Sequence, residues 1–423
     1  MTYSYSHGYA LATFVAAITA HILLVLVLVY VPPTSSLRAW LLPVLVVPTL
    51  VVSRTAVHAT PVMPLNFVIG VGYGLRLALE MFDLLCISKV AYPGHTGSKT
   101  SDGTRGKPGD SLPWYTRAYR AAVWLGEASS TDRGRNGYID ISREKAKKTS
   151  KRQFLVFRSI RFILCYLLLD LITSQSLEDA DVKFAPGKEK ILSRIIAGDF
   201  SGQDFGETLG SIVGFAAAGY LNLVVLIDFA SVLAVSLGIS EVQDWPPWFG
   251  PLTKLYSIRN FWSVVWHRQL RVLLYNHGYF ITHSILRLPL PDSVSPESKA
   301  LLLLIRYVRM QAIFLMSGLM HMPIDMMQNI PLRESGIVMF FTAQALGILI
   351  EDTVCSTYRW ITTGSFSRQA HRGSRTKEPA LWKKLIGFAW VLCWAMCCVP
   401  PWIFPTIRQS AMSAVPYSFF TKA

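Results

Sequence analysis

Apolar stretches long enough to cross a bilayer recur along this chain, and they restrict its fold more than any other feature. From Tyr9 to Val31 no Asp, Glu, Lys or Arg interrupts a run rich in leucine and valine. About 20 such residues span a hydrocarbon core as a helix, and in lipid every backbone polar group must be satisfied within the chain. Similar runs cover 39–52, 56–87, 154–173, 209–239, 299–322, 336–350 and 385–404. Apolar residues are continuous within them and do not alternate, which excludes an outer-membrane β-barrel. The expected fold is all-α, a polytopic transmembrane helical bundle of about eight spans. Pro43 and Pro48 predict a kinked or tilted second span. Pro61, Pro64 and Gly70, Gly72 and Gly74 predict a broken third one.

Composition agrees with this reading. The chain has 423 residues, 52% hydrophobic and only 16% charged, where a soluble domain carries about a quarter charged residues. A formal net charge of +15 would point to nucleic acid in a soluble protein. Here the basic residues lie in loops between apolar runs, as the cytoplasmic bias of membrane proteins places them, so no nucleic-acid partner is expected. The polar, basic loop 88–152, ending in SREKAKKTSKR, is expected to be cytoplasmic and solvated, with an amphipathic piece near Trp114 to Trp124 on the membrane surface. The same rule puts 241–271 and 359–384 on that side, and both termini on the other. Residues 9–31 read as the first span rather than a cleaved signal, because a basic leading region is missing. The whole of 1–423 reads as one membrane-embedded domain.

Chemistry is expected where polar side chains interrupt lipid-compatible sequence, since such residues are expensive to keep there. His321 closes SGLMH, Ser317 to His321, within an apolar run. A neutral imidazole there can take a proton from an alcohol and return it to a leaving thiol. It can equally be a packing histidine bonded to a neighbouring carbonyl, and position alone does not choose. Gly318 allows either close helix approach or ligand access. His267 lies in RNFWSVVWHRQLR, Arg259 to Arg271, which reads either as an amphipathic interfacial helix or as a cavity mouth. In the second case Asn260, Trp266 and His267 line the mouth, and Arg259, Arg268 and Arg271 face phosphates. The stretch 273–288, interrupted by Asn276, His277, His283 and Arg287, is expected to be re-entrant or to line a cavity.

Other chemistries lack a motif. His277 and His283 are six apart, without the spacing of a helical metal pair, and no HExxH, P-loop or dinucleotide glycine motif is present. No metal ion is expected. Six cysteines show no zinc or disulfide pattern. Arg158 and Arg161 are expected to snorkel, Asp228 to partner an arginine or histidine, and Glu351 and Asp352 to close a span at the interface.

Phe261, Trp262, Trp266 and His267, followed roughly fifty residues later by Ser317, Gly318 and His321, resemble the wax synthase-like branch of the membrane-bound O-acyltransferases. There an FWxxxWH or FWxxxWN segment precedes a membrane histidine in an SGxxH-like context. More narrowly, the chain is similar to fungal members that acetylate hydroxyls of terpenoids and meroterpenoids. The motifs cover a small part of the chain and the hydropathy pattern nearly all of it. The resemblance implies transfer from acyl-CoA, first of all acetyl-CoA, to a lipophilic alcohol, with no bound cofactor. It makes His321 the general base, and gives His267 the task of orienting the acyl carbonyl or stabilising its oxyanion. Substrate and CoA contacts would come from Asn260, Phe261, Trp262, Trp266, Arg268, Arg271, Ser317 and Gly318, within a catalytic region 244–350. An endoplasmic reticulum membrane is the implied location. The Gly-Arg-Arg that often follows FW in relatives is Ser263-Val264-Val265 here, so two cations are missing and Arg268 and Arg271 are the replacements. A long-chain wax-ester synthase is one alternative, because tunnel depth is not written in sequence. The other is a transporter or lipid-binding protein with His321, Asp228 and the arginines along a path.

Overall fold

A computed structural model describes residues 5–90, 149–174, 179–267, 269–364, 379–409 and 415–420, and their regular structure is helical throughout. Residues 91–148 of the basic loop, with Trp114 to Trp124, and residues 365–378 lie outside the described ones. In chain order the longer helices are α1 (His7–Tyr30), α2 (Leu37–Thr55), α3 (Lys151–Thr173), α4 (Gly202–Ser236), α5 (Arg271–Phe280), α6 (Lys299–Met327), α7 (Ile337–Thr363), α8 (Leu381–Cys398) and α9 (Pro400–Gln409).

Six of these, α1, α2, α4, α6, α7 and α8, are long and apolar enough to cross a bilayer. Large apolar side chains such as Leu11, Phe14, Val354 and Ile361 point outward, each more than 60% exposed, as a lipid-solvated surface requires. Two of the eight expected spans are helical but different in kind. Residues 63–87 alternate between α and π winding. Helix α3 carries Lys151, Arg152, Arg158, Arg161 and Asp170. Helix α2 runs unbroken through Pro43 and Pro48.

Charge inside the bundle is paired rather than snorkelled. Helices α3 and α4 pack along one another. Asp228, with no exposed surface, accepts from Arg158 Nη1 at 2.5 Å and from Arg161 Nη2 and Nε at 2.6 Å. Arg158 is buried and also donates to the Trp245 carbonyl at 2.9 Å. The pair therefore ties the α3–α4 unit to the loop that leads into the functional region. Arg38, also fully buried, donates to the carbonyls of Val31 and Val90. It joins the α1–α2 turn to the end of the 63–87 segment.

Between α4 and α6 the chain runs inward and back. Ser257 caps a short helix through its side chain, accepting from Asn260 N–H at 3.0 Å, and the backbone continues as a π turn, Phe261–Val265. On the way in, Ile258 bonds Glu351 while Trp262 reaches Gln344 and Phe341, deeper along α7. At the tip, Leu270 packs against the apolar cluster that contains Met320 and Met327. On the way back, Gly278 of α5 lies against Ile313 of α6, nearer that helix's start. Residues 258–267 and 269–285 thus form two helical arms, the first along α7 and the second along α6.

Breaking a buried ion pair by removing one partner costs about 3–5 kcal/mol. Asp228→Ala is expected to lower the thermal unfolding midpoint of the detergent-solubilised protein clearly, because two guanidiniums lose their counter-charge. A midpoint equal to that of the wild type would mean the pair does not hold α3 to α4.

Candidate active site

His321 lies on α6, one turn after Ser317, and the spacing brings its ring back onto the helix's own backbone. Nδ1 is 2.7 Å from the Ser317 carbonyl oxygen. A carbonyl only accepts, so Nδ1 carries the proton and Nε2 keeps the lone pair. No donor bonds Nε2 among the described residues. The bond to a neighbouring carbonyl and the capacity to act as a base are therefore compatible, and the first sets up the second. Phe341 of α7 covers the imidazole with ring centres 4.7 Å apart. Gly318 makes this possible: a Cβ there would lie 3.1 Å from Val338 Cα and 3.3 Å from Phe341 Cβ. Its role in packing is close helix approach.

His267 sits at the inward end of the motif, just after the π turn. The turn stacks Phe261 on Trp266, with ring centres 5.5 Å apart, and Trp266 N–H donates to the Phe261 carbonyl at 2.7 Å. His267 Nδ1 is buried with no partner among the described residues. Burial, and after it the nearby His321, pull the His267 pKa down to about 4. His267, outside the six spanning helices, is thus neutral at physiological pH, and it is close enough to His321 to sense charge on it.

The other motif side chains divide into supports and candidates for contact. Trp262 donates from Nε1 to Gln344 Oε1 at 3.3 Å and packs against Phe314, Phe340 and Phe341. It braces the histidine's neighbours. Arg271 donates to the Ser263 carbonyl, which ties the two arms together. Asn260 contributes its backbone N–H to the Ser257 cap, and its side-chain amide has no hydrogen bond among the described residues. Ser317 supplies the carbonyl that orients His321. Arg268 lies outside the described residues.

Sequence reading missed the groups that hold the motif in place. Glu351 and Asp352 lie within α7, which runs on to Thr363, rather than closing a span. Glu351 accepts from the backbone N–H of Ile258 at 2.5 Å and of Arg259 at 3.2 Å, and from Trp390 Nε1 at 3.0 Å. Asp352 accepts from Arg259 at 2.5 Å, Arg306 at 3.2 Å and the Tyr307 hydroxyl at 2.7 Å. Arg259, read as facing phosphates, is bound to a carboxylate instead. Gly250 was also missed: its N–H donates to the Val265 carbonyl at 3.0 Å, and a Cβ at that position would collide with the Val264 carbonyl oxygen. A glycine before a polar-aromatic motif was the available signal.

Two surface clefts, of about 430 and 390 Å³, are lined by residues around Val235 to Gln243 and Val47 to Thr55. Neither borders the two histidines. Among the described residues no group of three or more His, Cys, Asp or Glu side chains is placed to hold a metal ion.

Residues 245–343, which contain both histidines, match the model of the membrane bound O-acyl transferase family. The acetyltransferase ataH of Aspergillus terreus is 30% identical over 283 residues, which are 66% of this chain and 86% of that protein. The chain belongs to the membrane-bound O-acyltransferase family. Within that family it is also similar to the acetyltransferase spyB of Aspergillus fumigatus, 32% identical over 44% of this chain and 30% of spyB. For fsoF of Humicola fuscoatra, another acetyltransferase, the identity is 30% over 64% of this chain and 63% of fsoF. The match thus spans less than a third of spyB and just under two thirds of fsoF. No solved structure matches the chain. For a membrane-bound O-acyltransferase the matched stretch is informative, because it begins at Trp245, held by Arg158, and ends on α7 just past Phe341, which covers His321.

The low pKa of His267 has a consequence for stability. Between the ordinary 6.5 and about 4 the unfolded chain binds a proton at this residue and the folded chain does not. The stability is therefore complete above about 6.5 and is lost as pH falls toward 4. The unfolding midpoint of the solubilised protein is expected to drop across that window, and His267→Asn is expected to drop less. Identical pH slopes for both proteins would show that other groups carry the effect.

Proposed function

We propose that this protein is an acyl-CoA-dependent O-acyltransferase that moves an acetyl group onto a hydroxyl of a lipophilic, terpenoid-type secondary metabolite. The single observation that carries the reading is the His321 Nδ1–Ser317 carbonyl bond, because it leaves the lone pair of a membrane imidazole on Nε2. Family membership and relatives named acetyltransferases support the same chemistry. The acyltransferase domain is the whole membrane-embedded chain, with 244–350 carrying the reacting groups, and the endoplasmic reticulum membrane is its proposed location. Acyl-CoA is a cosubstrate, and no bound cofactor is required.

In the proposed step His321 Nε2 takes the hydroxyl proton as the acceptor oxygen attacks the thioester carbonyl. A carbon–oxygen bond forms, and the carbonyl electron pair moves onto oxygen. The ring N–H of His267 donates to that oxyanion. When the intermediate collapses the carbon–sulfur bond breaks, and the departing thiolate recovers the proton from the His321 imidazolium. The products are the ester and free CoA, with no net proton released. A neutral His267 suits this role, since a cation beside His321 would oppose its protonation. The supports on Trp262, Ile258 and Arg259 matter because positioned groups raise rates only when held near the reacting geometry.

General acid–base catalysis contributes about 10²–10⁴-fold, so His321→Ala is expected to lower kcat by that amount in microsomes given labelled acetyl-CoA and a panel of hydroxylated terpenoids. Membrane insertion should stay normal, and undiminished product would remove His321 from the mechanism. Loss of one oxyanion donor costs about 10²–10³ in kcat. His267→Ala should fall in that range, and wild-type kinetics would make the residue structural.

A further inference from the structure

A thin aromatic wall separates His267 from the outer face of α4. Phe249 stands perpendicular to the His267 ring with centres 6.4 Å apart, and edge-on to Trp266 at 5.5 Å. Tyr220 of α4 packs on Phe249 at 4.6 Å. Tyr220, on the spanning helix α4, is 36% exposed. Beside it, α4 runs close to Trp266: a Cβ at Gly219 would lie at ordinary contact distance, 3.8 Å, from the indole ring. The path from imidazole to bilayer is therefore two rings deep at this point.

The loop that presents Phe249 is anchored on both sides of the ring. Arg158 holds the Trp245 carbonyl before it, and Gly250 is locked onto Val265 after it. The Phe249 side chain has three ring partners, Tyr220, Trp266 and His267, and each such pair adds only about 0.5–1.5 kcal/mol beyond the area it buries. The ring can swing while the backbone stays in place. The Tyr220 hydroxyl makes no hydrogen bond among the described residues and lies within electrostatic reach of the Arg161 guanidinium, so a phenol beside a cation is available to the polar group of an arriving alcohol.

We infer that Phe249, backed by Tyr220, is the acceptor gate: the ring that a membrane-partitioned alcohol displaces to reach the histidines, and whose size sets how bulky an acceptor is admitted. This rests on the acyltransferase reading of His321 and His267. Small changes in an apolar pocket alter discrimination by about 10–200-fold. In Phe249→Leu and Phe249→Ala, the ratio of kcat/KM for a polycyclic terpenoid alcohol over that for a short open-chain alcohol is expected to rise about tenfold or more. The KM for acetyl-CoA should stay at its wild-type value, because a merely structural defect would weaken both acceptors and the donor together. If the wild type acetylates both alcohols and the ratio is unmoved in both variants, the gate is wrong while the acyltransferase reading stands.

A second measurement is independent of turnover. Phe249→Cys in proteoliposomes is treated with a long-chain alkyl maleimide confined to the bilayer, and separately with a charged water-soluble maleimide. Adducts at residue 249 are resolved from those at native cysteines by peptide mass spectrometry. The gate requires labelling from the bilayer that excess terpenoid alcohol suppresses. Labelling from water only, or none, overturns it. Suppressible labelling in a protein whose wild type transfers no acyl group would sink the acyltransferase reading and leave the lateral gate standing.

Discussion

Two adjacent carboxylates on α7 hold the start of the first arm, and the geometry of the site follows from that clamp. Glu351 receives two backbone N–H groups from Ile258 and Arg259, and Asp352 receives the Arg259 side chain. A helix start has unsatisfied donors and attracts negative charge. Here the charge comes from a residue 93 positions away, so capping the short helix also docks it on α7. Once Ile258 is fixed, one π turn carries the chain to Trp262 against Gln344, and then to His267. In an apolar interior such donors cannot fall back on water, which makes the clamp costly to lose.

The same helix pair shapes both partners of the site. Gly318 lets α7 approach α6, which puts Phe341 on the His321 ring, and Phe341 in turn packs on Trp262 from the first arm. The two motifs, distant in sequence, meet through one phenylalanine. Gln344 continues the connection, taking the Trp262 indole N–H while its own amide nitrogen donates to the Phe340 carbonyl and lies 3.4 Å from Cys398 Sγ on α8. The His321 ring is thus held by Phe341 and by the Ser317 carbonyl, and the His267 ring by its aromatic neighbours Phe249 and Trp266.

Legibility in sequence varied with the range of the interaction. The spacing of Ser317 and His321 is one helical turn, so the bond between them was within reach of local reasoning. Asp228 among apolar residues announced a partner, but nothing local named Arg158 and Arg161, 70 and 67 positions earlier. Arg38, which the sequence did not single out, is fully buried on two carbonyls.

Sequence alone determined the helical, membrane-embedded class of this protein, because length and uninterrupted apolarity are local properties and lipid permits few backbone solutions. It also offered His267 and His321 as candidates, through the two motifs that carry the family resemblance. Only the tertiary structure decided that the two motifs meet at Phe341, with Trp262 and His321 both against its ring. It also assigned Arg259 to a carboxylate. Each of these depends on partners tens of residues away, whose pairing is chosen by packing and by the cost of unmet charge rather than by any pattern along the chain.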